Sequence, residues 1–313
     1  MSTIVIALGG NALQKKGDNN TAENQMRRVH EVVDFIFPII AAFDQVVITH
    51  GNGPQIGRVL LQNEAAQEIT PALTMDMCSA SVQGAIGYQI QTALDEAFKR
   101  GGSKRRACTL VTRVLVSHSD PAFLDPTKPI GPFYTYGQAQ ALHAQKGWAV
   151  AEDAAGRGWR RIVPSPHPLK IVELDSIRRL SEDGTVVIAG GGGGIPVAEI
   201  NGGLRGIDAV IDKDLASGLL ADEIGADVLL ILTEVENVYV DFGKTSQRPL
   251  GVISADALAG ERENDEFARG SMLPKVDAAI EFVRGGDARR AIITCAAAAQ
   301  RAIEGAGGTI VHS

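Results

Sequence analysis

Residues 3–10 read TIVIALGG, a run of β-branched and apolar residues that ends in two glycines. A continuous apolar run of this length is typical of a strand buried on both faces, as in a parallel sheet covered by helices. Similar runs followed by turn signals recur at residues 46–49, 107–111, 185–189, 228–232 and 291–294. Helical periodicity lies between them, notably at residues 82–97, 215–224 and 276–283. This alternation predicts an α/β fold, a three-layer αβα sandwich around an open, mainly parallel sheet.

The composition is that of an ordinary globular chain, and it excludes several classes of function. Of the 313 residues, 45% are hydrophobic, and 30 Lys and Arg against 37 Asp and Glu give a net charge of −7. We expect no nucleic-acid or membrane partner, because nonspecific binding of either kind needs a basic surface. The three separated cysteines fit neither a disulfide framework nor a zinc site. Without a signal-peptide pattern or an apolar run of about 18 residues, the sequence predicts a cytoplasmic protein.

One region interrupts the alternation of strands and helices. Residues 117–168 hold both tryptophans and seven of the 13 prolines. We therefore predict a single domain over residues 1–313 with a small projecting subdomain at 117–168. Segments of this kind often close over active sites, although a purely structural excursion is the alternative.

Glycine-rich turns follow three of the predicted strands directly, at residues 9–10, 51–53 and 190–194. In such turns backbone N–H groups can approach an anion with no Cβ in the way, and a following helix N-terminus adds partial positive charge. One turn alone can be purely geometric. Three turns at the carboxyl edge of an α/β sheet, where ligands bind, predict a single anion site.

Lysine placement gives the second signal of a phosphate site. Asp212 is a predicted N-cap, which puts Lys213 in a first helical turn, and a proline at the start of a later helix does the same for Lys275. A lysine is unfavourable there, because the helix dipole is already positive, so an anion is expected nearby. Lys128 is held between prolines in the projecting segment. Each lysine alone is more often a surface cation, but together with the glycine turns they predict a polyphosphate site.

Common enzyme signatures are missing from the sequence. It contains no P-loop, no G-x-S-x-G, no H-E-x-x-H and no protein-kinase motif set. Gly51, Gly53 and Gly57 have the spacing G-x-G-x-x-x-G, which is one residue longer than the dinucleotide-binding fingerprint G-x-G-x-x-G. A nicotinamide-dependent oxidoreductase is therefore the alternative to an enzyme that binds polyphosphate. That alternative leaves the helix-start lysines unexplained. Of the histidines, only His50, which lies beside the second glycine turn, is a candidate site residue.

Seven motifs, in chain order, carry a resemblance to a known family. They are ALGGNAL (7–13), HGNGPQIG (50–57), DPTKPIGPF (125–133), EDAAGRGWRRIVPSP (152–166), GGGGGIP (190–196), AVIDKDLAS (209–217) and GSMLPKVDAAI (270–280). Over nearly the whole chain they resemble the carbamate-specific branch of the amino-acid-kinase family. Most other members carry a lysine just before the first glycine pair, where this chain has Ile6-Ala7-Leu8. The resemblance implies that Lys128 replaces that lysine.

The resemblance implies an ATP:carbamate phosphotransferase, which transfers a phosphoryl group reversibly between ATP and carbamate to give ADP and carbamoyl phosphate. The implied catalytic residues are Lys128, Lys213, Asp214, Lys275 and Asn11. The implied substrate- and phosphate-binding residues are Gly9, Gly10, Gly51, Asn52 and Gly53. The implied nucleotide-binding residues are Gly191, Gly192, Tyr239, Gly270, Ser271 and Met272.

The resemblance also bears on cofactor and partners. ATP and ADP enter as substrates, and Mg²⁺ is expected mainly on the nucleotide phosphates, because no carboxylate cluster forms a protein-only metal cage. The family implies a homodimer. Two other functions stay open at this point. A relative acting on another carboxylate would need a pocket for a larger substrate, and a non-catalytic sensor of carbamoyl phosphate or nucleotide would be expected to have lost the lysines.

Overall fold

The computed structural model describes residues 1–10, 21–153, 156–264, 267–268 and 270–313. The strands within these ranges are β1 (Thr3–Leu8), β2 (Gln45–His50), β3 (Ala107–Thr109), β4 (Arg113–Val116), β5 (Lys128–Tyr134), β6 (Val150–Glu152), β7 (Trp159–Val163), β8 (Pro168–Ile171), β9 (Val186–Ile188), β10 (Ile195–Ile200), β11 (Gly203–Gly206), β12 (Val228–Thr233), β13 (Tyr239–Val240), β14 (Arg248–Pro249), β15 (Val252–Ser254), β16 (Arg290–Cys295) and β17 (Thr309–His312). The helices are α1 (Ala22–Ala42), α2 (Gly53–Ala66), α3 (Met75–Arg100), α4 (Tyr136–Lys146), α5 (Leu174–Glu182), α6 (Lys213–Ile224), α7 (Ala255–Glu263), α8 (Leu273–Arg284) and α9 (Ala299–Ile303).

The central sheet has eight strands within the described ranges, in the order β15-β17-β16-β12-β1-β2-β9-β3. Every neighbouring pair is parallel except β16 with β17. The mainly parallel sheet predicted from the sequence is therefore confirmed. Each of the six predicted apolar runs contributes a strand to this sheet, with bounds that shift by up to two residues.

The two faces of the sheet are buried by separate sets of helices. Along β1, Ile4 and Ile6 belong to a core that includes α1 and α3. Val5 and Ala7, between them, belong to a second core that includes α6 and α8. All four side chains are completely buried, because successive side chains of a strand point to opposite faces. This arrangement confirms the three layers.

The segment at 117–168 carries a small sheet of its own, with the strand order β5-β7-β6. Helix α4 follows β5 and starts with a capping box, in which Thr135 and Gln138 bond each other's backbone N–H groups. The bounds of the subdomain, 117–168, stay a prediction. A further four-stranded sheet, β11-β10-β4-β8, was not predicted, since three of its strands have only four residues each. Across the described residues no helix is long and apolar enough to cross a membrane.

Candidate active site

The carboxyl ends of β1, β2 and β12 open onto one cleft of about 320 Å³. Most of the predicted site residues line this cleft. They are Gly9, Gly10, Gly51, Asn52, Gly53, Lys128, Gly192, Lys213, Asp214, Gly270, Ser271 and Lys275. Residues more than 260 positions apart in sequence thus meet in one place. The structure brings the glycine turns and the three lysines together, as the sequence predicts.

Two of the glycine turns touch each other at the cleft wall. A Cβ added to Gly51 would lie 2.8 Å from the Gly10 nitrogen and 3.0 Å from the Gly10 Cα. Helix α2 begins at Gly53, directly after this turn, with Asn52 as its N-cap residue. The Asn52 side chain makes no capping hydrogen bond to the first turn of α2. The start of α2 therefore has no side-chain cap from Asn52, and its first two residues, Gly53 and Pro54, line the cleft.

Lys213 and Lys275 share a single buried carboxylate. Lys213 Nζ lies 2.6 Å from Asp214 Oδ1, and Lys275 Nζ lies 3.0 Å from Asp214 Oδ2. Lys213 and Asp214 are the first two residues of α6, and Lys275 lies in the first turn of α8, which begins one residue before Pro274. Asp214 thus offsets part of the unfavourable interaction between these lysines and the helix dipoles.

The Lys213 ammonium is incompletely satisfied. Its Nζ is buried, and its one polar side-chain contact among the described residues is the ion pair of 2.6 Å with Asp214 Oδ1, which cannot use all three N–H donors of the ammonium group. Burial lowers the pKa of Lys213, and Asp214 acts in the opposite direction. Burial alone would raise the pKa of Asp214, but the two neighbouring lysines outweigh it and hold that pKa below its ordinary value. The cleft therefore presents a buried cation with unused donors.

Lys128 reaches the cleft from β5, a strand of the small three-stranded sheet. It is the first residue of β5, and its Nζ donates a hydrogen bond of 2.6 Å to Asp212 Oδ2. Asp212 is the N-cap of α6, as the sequence predicts, and its Oδ1 accepts the Asp214 N–H at 2.8 Å. Together with Glu234, three ammonium groups and three carboxylates consequently lie around one cavity.

The third glycine turn is held in place from behind. Gln83 on α3 is fully buried, and its Nε2 donates to the carbonyls of Gly191 (3.0 Å) and Thr112 (3.1 Å). Gly192 lines the cleft, whereas Gly191 is outside the set of described residues that line it. The role of Gly191 in nucleotide binding stays a prediction.

His50 lies beneath the glycine turns rather than in the cleft. Its ring is buried, and Nδ1 lies 3.1 Å from the Gly51 carbonyl oxygen, which can only accept, so Nδ1 carries a proton. Burial lowers the pKa of His50 to about 4, the bond to Gly51 opposes that shift, and Lys213 adds to it. A neutral histidine here orients the carbonyl of a turn.

The predicted nucleotide residues divide into two groups. Gly270 and Ser271 line the cleft, and the Ser271 carbonyl accepts a hydrogen bond from Lys275 Nζ at 3.0 Å. Met272, the N-cap residue of α8, and Tyr239, whose ring packs on that of Phe242, are not among the described residues lining the cleft. Their roles stay predictions. Asn11 lies outside the described residues.

Sequence reasoning missed two polar residues of the cleft, Thr233, which is the last residue of β12, and Glu234, which follows that strand. They could have been found by the rule that selected the glycine turns, since they too lie at the carboxyl end of a buried strand. The pairing of the Asp212 carboxylate with Lys128 was also missed, because the two residues are 84 positions apart in the sequence. Within the described ranges, no group of three or more His, Cys, Asp or Glu side chains is arranged to hold a metal ion.

Comparisons with known proteins agree on one family. The model of the family described as "Amino acid kinase family" matches residues 2–295. The chain is 48% identical to a carbamate kinase of Pyrococcus horikoshii over 310 residues, which covers 98% of both chains. It is 44% identical to a carbamate kinase 2 of Staphylococcus aureus, over 99% of this chain and 98% of that one. A solved structure, carbamate kinase from Giardia lamblia bound to AMP-PNP, superimposes with a TM-score of 0.93 at 42% identity, covering 99% and 98% of the two chains.

Proposed function

The chain belongs to the amino acid kinase family, and we propose that it transfers a phosphoryl group reversibly between ATP and carbamate. It is a phosphotransferase, and the family resemblance noted in its motifs is confirmed. The full-length relatives reported above carry the name carbamate kinase. The acceptor is a carboxylate-type oxygen of carbamate, and the products are ADP and carbamoyl phosphate.

In the direction of ATP formation, a terminal oxygen of the ADP β-phosphate attacks the phosphorus of carbamoyl phosphate. The P–O bond to the carbamoyl group breaks, and carbamate leaves with its electron pair. No proton has to move, because carbamate is an anion, so the reaction needs no general base. The protein has to align donor and acceptor and neutralise charge on the transferring oxygens.

The observation that carries this proposal is the buried, incompletely satisfied ammonium of Lys213 in a cleft that it shares with two further lysines. Leaving a buried donor without a partner is costly, and an anion in the cleft would remove that cost. A phosphoryl group has three equatorial oxygens on which charge accumulates during transfer. Lys128, Lys213 and Lys275 can each bind one of these oxygens, while the amides of the Gly9 and Gly51 turns bind the rest of the donor.

We propose that the nucleotide occupies the side of the cleft formed by Gly270, Ser271 and Lys275. A Giardia lamblia carbamate kinase has been solved with AMP-PNP, which supports a nucleotide site in this fold. Lys275 contributes to both substrates in this arrangement, since it lies at the helix start next to Ser271 and also pairs with Asp214.

Mg²⁺ fits this site as an ion carried by the nucleotide phosphates. The two carboxylates nearest the lysines, Asp212 and Asp214, are already engaged by ammonium groups. Mg²⁺ commonly binds through one or two carboxylates together with substrate phosphates, and Glu234 is an exposed carboxylate at the same cleft. When bound, the ion would neutralise part of the negative charge of the phosphates, and Glu234 would be the carboxylate placed to hold it.

A donor screen tests the choice of substrate. The purified protein is supplied with ADP and, in separate reactions, carbamoyl phosphate, acetyl phosphate or an acyl-amino-acid phosphate, and ATP is measured. We expect carbamoyl phosphate to give the highest kcat/KM. A preference for the acyl-amino-acid phosphate would instead assign the chain to the branch of the family that acts on larger carboxylates.

We further propose that the protein is a cytoplasmic homodimer. Support for the dimer comes from α3, where Met77, Ser81, Gly84 and Tyr88 recur at helical spacing and leave Met77 and Tyr88 more than half exposed. Apolar side chains aligned on an exposed helix face are typical of interfaces between subunits. Light scattering should give twice the chain mass for the wild type, and Tyr88→Lys should shift the mass toward the monomer. An unchanged mass in the variant would place the interface elsewhere.

A further inference from the structure

The carboxylate of Asp212 is divided between two elements of the fold. Its Oδ1 accepts the Asp214 N–H and so caps α6, and its Oδ2 accepts a hydrogen bond from Lys128 Nζ. The side chains of Lys128 and Asp212 are 28% and 12% exposed, so the pair lies at the edge of the cleft rather than in open solvent. Asp212 therefore joins the projecting subdomain to the helix that carries Lys213.

Lys128 depends on this contact for its position. The other two lysines of the cleft share Asp214, which is itself buried. Lys128 pairs with Asp212 alone in the described part of the chain. A lysine side chain has several rotatable bonds, and restricting them has an entropic cost. Without Asp212, no described side chain would hold the ammonium group over the cleft before the substrate arrives.

We propose that Asp212 is a positioning residue that acts through Lys128, a role distinct from its capping of α6; this rests on the proposed function. An ammonium group has three N–H donors, and the bond to Asp212 uses one. Two donors stay available to the oxygens of the transferring phosphoryl group. Each carboxylate thus positions different lysines. Asp214 holds the two lysines of the main body, and Asp212 holds Lys128 of the subdomain.

The substitution Asp212→Asn separates positioning from capping. Asparagine caps helices about as well as aspartate, so α6 keeps its N-cap bond. The Asn side chain no longer offers a carboxylate to Lys128, because its second polar group is a donor. Asp208→Asn is the matched control, since Asp208 pairs with Arg161 of the subdomain at 3.0 Å but is outside the set of cleft-lining residues.

The experiment compares wild type, Asp212→Asn, Asp208→Asn, Lys128→Ala and the Lys128→Ala/Asp212→Asn double variant in ATP formation from carbamoyl phosphate and ADP. We expect Asp212→Asn to lower kcat by roughly tenfold, less than the ~10²-fold typical of losing a charge-stabilising donor outright, with ADP affinity and melting temperature unchanged. Asp208→Asn should match the wild type. In the Lys128→Ala background, Asp212→Asn should have no further effect, because the residue through which it acts is gone.

Labelling of amines provides a readout that does not depend on turnover. Acetylation of Lys128 by an amine-specific reagent, followed by peptide mass analysis, should be faster in Asp212→Asn than in the wild type. Equal labelling, or an Asp212→Asn effect of the same size with and without Lys128, would overturn the proposal. An inactive wild type would instead contradict the proposed function, and the labelling comparison would still test the positioning of Lys128.

Discussion

Gly10 and Gly51 follow different strands of the sheet, yet a Cβ on Gly51 would lie only 2.8 Å from the Gly10 nitrogen. Real Cβ atoms essentially never approach a backbone atom so closely. Gly51 must therefore lack a side chain for the two turns to touch, whereas a Cβ on Gly10 would meet nothing within 4 Å. Their contact places the ends of the neighbouring strands β1 and β2 side by side at the wall of the cleft.

The first prediction concerns this contact. Gly51→Ala should destabilise the fold by about 1–3 kcal/mol, the usual cost of overpacking, and should abolish most activity by separating the turns. Gly53→Ala is the matched substitution, because a Cβ there meets nothing within 4 Å, and its stability should stay near that of the wild type. Urea unfolding of both variants measures the difference. Equal midpoints for the two would contradict the close approach.

The second prediction separates two of the lysines by their position. Lys128→Ala should reduce kcat by roughly 10²-fold or more and leave ADP binding nearly intact, because in the proposed mechanism Lys128 contacts only the transferring group. Lys275→Ala should weaken ADP binding as well as turnover, since its helix start adjoins Ser271. Steady-state kinetics and titration calorimetry provide the two measurements. A Lys128→Ala enzyme with nearly normal kcat would remove the subdomain from catalysis.

The third prediction is that ATP formation requires a divalent cation. The described carboxylates next to the lysines are engaged in ion pairs, so the charge of the nucleotide phosphates has to be neutralised partly by a bound metal ion. Chelation should abolish activity, and added Mg²⁺ should restore it. Undiminished turnover after thorough chelation would show that the lysines suffice.

The fourth prediction follows from His50. Its pKa is lowered to about 4 in the folded protein, from an ordinary value of 6.5. Between these values the unfolded chain binds a proton that the folded chain does not, so the free energy of unfolding should fall as the pH drops from 6.5 towards 4, by up to about 3 kcal/mol from this residue. His50→Asn keeps a donor and cannot titrate. Its loss of stability over that range should be smaller than that of the wild type, and an identical loss would contradict the burial of a neutral ring.

The sequence predicts local features of this protein well. The run at residues 3–8 is β1 to the residue, because a continuous apolar stretch closed by glycines leaves few alternatives. The N-cap at Asp212 is equally local. Contacts between distant elements could not be derived in this way. The bond from Lys128 to Asp212 and that from Gln83 to Gly191 join residues 84 and 108 positions apart, and only the packing of the layers brings them together.

The most direct test compares ATP formation from carbamoyl phosphate and ADP by the wild type and by Lys213→Met. Methionine retains the length and apolar stem of lysine but removes the charge, and Lys275 still pairs with Asp214, so unchanged melting curves would show that both proteins are folded. We predict ready ATP formation by the wild type and a loss of roughly 10²-fold or more in kcat for the variant. Equal rates in the two proteins, or no ATP from the folded wild type, would contradict phosphoryl transfer in this cleft.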